Sequence, residues 1–230
     1  MPEEEKKPEK AVKKVKKPYV AKMGHNPWYG TVRVLAYIVF NTVMPVKVHH
    51  LENIRDEKAP YILIANHKHA FDPIAIVYKL RRYQVTFVGK KQLTETKIGK
   101  FFTERVGMIP VDREKPDLHL MRRTIKVVKD GGILGIFPEG TRYQEHMMDN
   151  VMSGTAIIAL RSGVPLQPAY ISRELAFFKR THVFYGKQMD ISDLQAQGTD
   201  NVVIQELSER IRDTFMELRE QAEKELAKKK

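Results

Sequence analysis

The sequence predicts an α/β protein with a mixed, largely parallel central sheet flanked by helices. Three observations predict it. Short apolar runs recur, and several run straight into a polar motif, as Tyr61-Ile62-Leu63-Ile64-Ala65 runs into Asn66-His67. Between the runs lie stretches with apolar residues at three-and-four spacing, the period of a helix with one buried face. Gly and Pro stand at the breaks, as at Gly131-Gly132 and at Gly163 with Pro165. Strands alternating with helices imply a parallel sheet, and such sheets gather ligands at one end of their strands.

Residues 1–26 read as a basic, disordered tail that carries Pro2, Pro8 and Pro18. From Pro27 the pattern turns helical. Val32, Leu35, Ala36, Val39, Phe40 and Val43 share a face, Val34 and Ile38 widen the stripe, and Pro45 ends it. The uncharged stretch 34–46 is about 13 residues long, short of the roughly 20 that span a bilayer. Two placements fit: a helix packed on the domain core, or one lying in a membrane interface with Trp28, Tyr29 and Tyr37 at headgroup level. The adjoining lysines favour the second. Residues 27–59 are thus expected to form an interfacial helical segment and residues 60–230 the α/β domain.

Within that domain the first strand is 61–65. Asp72-Pro73 then reads as a helix start, with a capping aspartate and proline at the first helical position. Ile74, Ile76, Val77 and Leu80 carry that helix to Arg81 and Arg82. Residues 85–88 give the second strand, with Lys90 just beyond, and residues 106–111 the third, ending at Asp112-Arg113. Leu118, Met121, Ile125 and Val128 mark a helix that stops at Gly131-Gly132, suited to a left-handed cap. Residues 133–137 form a strand leading into Pro138-Glu139-Gly140-Thr141-Arg142. A helix around 156–160, strands at 166–171 and 182–185, and a last helix on Leu207, Ile211, Phe215 and Leu218 complete the chain.

Composition narrows the partners. Net charge is +12, with 42% hydrophobic and 30% charged residues and no cysteine. The missing thiols remove disulfides, thiolate metal sites and cysteine nucleophiles. The lysine run of the first segment reads either as a solvated tail or as an attraction to anionic lipid, at about 1 kcal/mol per basic residue near the surface. Nucleic acid is disfavoured, because no reading helix or aromatic stacking motif accompanies the basic residues. No secretory signal precedes the charged tail, so the expected location is the cytoplasmic face of the cell membrane, held peripherally.

The chemistry lies at the strand ends. Asn66-His67, Asp112-Arg113 and Glu139-Gly140-Thr141-Arg142 each follow an apolar strand, so a parallel sheet brings them to one crevice. His67 can take a proton from a hydroxyl, since histidine ordinarily titrates near working pH. Asp72, five residues on, can hold the other ring nitrogen and stabilise the imidazolium that forms. The plainer alternatives are that Asp72 only caps a helix and that His67 is structural. Arg142 suits a phosphate or carboxylate, whose geometry its planar fork matches. Gly140 lets backbone approach closely. Glu139 either holds acceptor hydroxyls or orients an arginine, and Lys90 and Arg113 can complete a phosphate cradle.

These blocks resemble the glycerolipid acyltransferases, specifically the 1-acylglycerol-3-phosphate acyltransferases, over residues 27–193. Asn66, His67 and Asp72 match the family's Asn-His-x4-Asp block. The stretch from Gly107 to Arg113 matches the second block, and Phe137-Pro138-Glu139-Gly140-Thr141-Arg142 matches the third in full. Val164-Pro165-Leu166-Gln167-Pro168-Ala169-Tyr170-Ile171 is similar to the fourth. The resemblance implies that His67, paired with Asp72, deprotonates the sn-2 hydroxyl of a lysophosphatidate. The alkoxide would attack the thioester of acyl-CoA or acyl carrier protein, which serves as co-substrate, with no further cofactor and no metal. Lys90, Arg113, Arg142, Gly140 and Thr141 would bind the acceptor with Glu139, and the N-terminal helices would rest on the membrane. The chain departs from the family at Lys68-His69, where Gln-Ser is usual, at Tyr143, where Ser is usual, and at Val151-Met152. None of these removes the base, the carboxylate or the arginines.

Two rivals come from other classes. His67, His69 and Asp72 could ligate a metal in a hydrolase. Alternatively, the same fold could serve as a non-catalytic lipid-binding module, which an intact His67, Asp72, Glu139 and Arg142 argues against.

Overall fold

A computed structural model describes residues 27–54, 60–80, 84–96, 100, 103, 107–111, 118–142 and 146–228. Helix α1 (Pro27–Asn41) leads into β1 (Val46–His49). Then come β2 (Tyr61–Ala65), the short α2 (Asp72–Ala75), β3 (Val85–Lys90) and β4 (Ile109–Val111). Helix α3 (Leu118–Lys129), β5 (Ile133–Ile136), α4 (Ser153–Ser162), β6 (Leu166–Ile171) and β7 (Thr181–Tyr185) follow. Helices α5 (Ser192–Gln197) and α6 (Asn201–Ala227) close the fold.

The seven strands form one sheet in the order β1-β7-β6-β2-β5-β3-β4. Every pairing is parallel except β6 with β7. The predicted α/β class and largely parallel sheet are therefore present. The reason β2 reads as an unbroken apolar run is visible in its two faces. Tyr61, Leu63 and Ala65 join the core beneath α1, while Ile62 and Ile64 join the opposite core beneath α3, α4 and α6. A strand covered on both sides has no polar face to alternate with. On α6, Val203, Leu207, Ile211, Phe215, Leu218 and Ala222 are buried at helical spacing. Asp200 caps that helix, its side chain accepting from Val203 N at 2.9 Å.

Several boundaries differ from the sequence expectation, each for a local reason. The predicted helix from Asp72 to Arg82 stops at Ala75. The Tyr185 hydroxyl donates to Ile76 O, the carbonyl that Leu80 N would take in a continued helix. Leu80 N bonds Val77 O instead, and the segment tightens into turns. Within the segment expected to be helical, Val46–His49 is a strand that pairs in parallel with β7. Its alternation of apolar and polar residues, on four residues, is too short to stand out. The third strand spans only Ile109–Val111 among the described residues. Helix α1 ends at Asn41, where the Asn41 and Thr42 side chains take the carbonyls of Tyr37 and Ile38.

Helix α1 has two unlike faces. Ala36 and Phe40, with Met44 just beyond, sit in the core, and Phe40 meets Tyr78 edge-on at 5.3 Å. Tyr29, expected at headgroup level, is buried instead. Val34, Leu35, Tyr37 and Ile38 are each more than half exposed, with Trp28 nearly so. Half of the predicted apolar stripe thus faces outward. No described helix is long and apolar enough to cross a membrane.

Candidate active site

The site is built at the carboxyl ends of β2 and β5, which are hydrogen-bonded neighbours. Asn66 fixes the end of β2 to the end of β6. Its amide oxygen accepts from Ile171 N at 2.7 Å and its amide nitrogen donates to Ile171 O at 3.0 Å. That buried clamp sets where the next residue, His67, leaves the sheet.

His67 Nδ1 lies 3.0 Å from Asp72 Oδ2. The same oxygen accepts from Lys68 N and His69 N, both at 2.6 Å. Asp72 is fully buried. It caps no helix with its side chain; it is the first residue of α2 and folds the loop 67–72 back on itself. The expected capping role is thus replaced by the orienting one, because three N–H groups of the loop converge on one carboxylate oxygen. Because that oxygen acts as the acceptor of the loop, Nδ1 carries the ring proton and Nε2 is left free to accept one. The ring also stacks on Phe137 at 4.1 Å, and Phe137 stacks on Phe87 at 5.8 Å. The imidazole is held at its edge by a charge and at its face by an aromatic pair.

The turn after β5 supplies the other half. Gly140 has φ +66, and a side chain there would fall on Met152 Sδ. Gly140 N closes the turn onto Phe137 O at 3.0 Å. Glu139 also has a task that its own stretch of sequence does not announce. Its Oε2 accepts from His67 N at 2.9 Å and its Oε1 from Met148 N at 3.0 Å. Burial pushes its carboxyl above its ordinary value, and the two backbone donors pull against that. It therefore ties three loops together from beneath the site. Glu139→Ala should orphan both N–H groups and cost about 1–3 kcal/mol, read as a lower urea midpoint, with a loss of activity because the His67 backbone is released.

His67, Asn66, Lys68, Glu139 and Arg142 line a cavity of about 350 Å³. Its remaining wall is His146, Met147, Tyr170, Ser172, Arg219 and Glu223. Arg142 is exposed at the rim and Thr141 is half-buried beside it. Lys90 is exposed at the end of β3 and is not part of this lining. Arg113 lies outside the described residues, as do Asp112 and Tyr143.

Tyr170 stands in the fourth block of the resemblance, on β6. Sequence reasoning missed the contribution of α6: Arg219 and Glu223 are far from the motifs along the chain, and Arg219 Nε donates to Glu223 Oε1 at 2.7 Å. Burial raises the Tyr170 hydroxyl, with Arg219 opposing. Lys68 did carry a signal, since it replaces a residue usual in the resembling family. His67, His69 and Asp72 do not form a metal-binding trio. Among the described residues no three His, Asp or Glu are grouped for one, and His69 Nδ1 accepts from Phe71 N at 3.2 Å.

The chain is similar to the 1-acyl-sn-glycerol-3-phosphate acyltransferase of Bacillus subtilis, 33% identical over 124 residues that cover 54% of this chain and 61% of the relative. It is 27% identical to the enzyme of the same description from Streptococcus pneumoniae, over 179 residues covering 75% of this chain and 66% of the relative. The chain thus spans just under two thirds of the length of these relatives. In fold it matches the crystal structure of the 1-acyl-sn-glycerophosphate (LPA) acyltransferase PlsC from Thermotoga maritima, with a TM-score of 0.60 and 18% identity, covering 82% of this chain and 79% of the other. The family model described as Acyltransferase matches residues 45–172, a span that contains both the His67–Asp72 pair and the Glu139–Arg142 turn. Because that match covers more than half of the 230 residues, this chain belongs to the Acyltransferase family.

Proposed function

We propose that the chain transfers a fatty acyl group from an acyl thioester to the free sn-2 hydroxyl of 1-acylglycerol-3-phosphate, giving phosphatidic acid for phospholipid synthesis. The observation that carries the reading is the His67 Nδ1–Asp72 Oδ2 contact at 3.0 Å on the wall of a cavity that also holds Lys68, Arg142 and Arg219. His67 Nε2 takes the hydroxyl proton as the oxygen attacks the thioester carbonyl. The C–S bond then breaks, and the departing sulfur takes the proton back from the imidazolium. Asp72 stabilises the imidazolium between these steps. The cations offer charge-assisted hydrogen bonds to the acceptor phosphate. The names of the relatives support the acceptor. The donor is acyl-CoA or acyl carrier protein, for which the basic chain has the complementary charge.

The exposed apolar face of α1 supports a peripheral placement on an anionic membrane, where a lysophospholipid acceptor resides. The cytoplasmic leaflet, whose anionic lipids attract basic segments, is the face proposed.

An acceptor panel tests the reading. Arg142→Ala is expected to lower kcat/KM for lysophosphatidate by about tenfold or more, the weight of a charge-assisted contact of about 1.5–3 kcal/mol. The KM for the thioester should stay within about twofold. Equal losses with a phosphate-free monoacylglycerol acceptor would remove the phosphate from the role. Better turnover of glycerol-3-phosphate or of another lysophospholipid would reassign the acceptor.

A further inference from the structure

The loop joining β6 to β7 carries two of the most exposed aromatic side chains among the described residues: Phe177 is 67% and Phe178 80% exposed. Most of each ring is left in water. The backbone beneath them is also costly. Phe178 has φ +57, a left-handed conformation that suits glycine and disfavours a bulky L-residue. An isolated antiparallel bridge between Ala176 and Lys179 closes the turn and holds both rings at its tip.

The turn is anchored against α1. Leu175, just before it, is buried in the core cluster that holds Ala36, Phe40 and Met44. Phe178 N donates to Val43 O at 2.8 Å, and Thr181 N to Pro45 O at 2.8 Å. The two phenylalanines therefore stand at the carboxyl end of the helix whose Val34, Leu35, Tyr37 and Ile38 are left exposed. Charge surrounds the tip. Arg173, Lys179 and Arg180 are exposed in the loop against a single carboxylate, Glu174. Apolar rings ringed by cations complement a surface with a hydrocarbon interior and anionic headgroups.

We infer that the Phe177-Phe178 turn is a second membrane-contacting element, which inserts its rings into an anionic lipid bilayer beside α1. This rests on the proposed action on a membrane-borne acceptor and extends it beyond the N-terminal helix. The turn lies outside the span of the family match, which ends at residue 172.

Flotation of the full chain with phosphatidylcholine vesicles, with and without phosphatidylglycerol, tests the inference. Three variants are compared: Phe177→Ser with Phe178→Ser, Phe178→Gly, and Ile38→Ser on the outer face of α1. Phe178→Gly relieves the left-handed backbone and so guards against a folding defect. Both turn variants should lower partition onto phosphatidylglycerol vesicles by about tenfold or more per ring lost. They should keep wild-type turnover of a short-chain lysophosphatidate dispersed in water and lose it on acceptor embedded in vesicles. Flotation of both turn variants at the wild-type level overturns the inference. If only Ile38→Ser floats like wild type, the turn stands and the α1 contact fails. Wild-type chain that floats with neither vesicle overturns both. A self-associated wild-type chain that becomes monomeric in the turn variants, with no vesicle binding, makes the tip an interface between copies and overturns the lipid assignment.

Discussion

Replacing His67 with alanine is expected to lower the rate of acyl transfer by about 10²–10⁴-fold with little change in the urea midpoint. The ring is the only part of His67 that faces the chemistry. Its backbone N–H, which Glu139 holds at 2.9 Å, is kept in the variant. The loop 67–72 is also kept, because Asp72 still accepts from Lys68 N and His69 N. What is lost is the nitrogen that receives the acceptor's proton, together with the stack on Phe137. The KM values for acceptor and thioester should therefore move far less than kcat. A comparable loss in KM, or a collapse of the fold, would show that His67 serves binding or structure and not proton transfer.

Asp72 gives the second large effect, and its two variants separate two tasks. Asp72→Asn keeps an oxygen for the loop N–H groups but removes the charge that favours the imidazolium. Activity is expected to fall by about 10²–10⁴-fold while the protein stays folded. Asp72→Ala removes the acceptor of all three N–H groups at a site with no solvent exposure. Leaving that many donors buried is expected to cost about 3–5 kcal/mol, seen as a fall in the urea midpoint beyond that of Asp72→Asn. If Asp72→Asn retained wild-type turnover, Asp72 would only fold the loop, and the dyad would not be the base.

Much of this was legible because the decisive features are local. The β2 run of Tyr61-Ile62-Leu63-Ile64-Ala65 announces a strand buried on both faces, and the five-residue spacing of His67 and Asp72 allows the loop to fold back. The neighbouring ends of β2 and β5 follow from parallel order. Features that depend on tertiary neighbours were not legible. Nothing in the stretch around Glu139 shows that its oxygens accept from His67 N and Met148 N. The end of α2 at Ala75 depends on a hydroxyl from Tyr185, more than a hundred residues away. Arg219 and Glu223 reach the cavity only because α6 packs back across the sheet, and their sequence reads as an ordinary charged helix face. The strand β1 became a strand because β7 offered it a parallel edge.

The central claim is that His67 drives acyl transfer onto the hydroxyl of lysophosphatidate. Mass spectrometry of the products formed from lysophosphatidate and an acyl thioester with an isotopically labelled chain tests it most directly. Wild-type protein should yield phosphatidic acid labelled at sn-2, one molecule for each thioester consumed, and His67→Ala should yield almost none. Labelled free fatty acid with lysophosphatidate left untouched, or the same labelled phosphatidic acid from His67→Ala, would contradict the account.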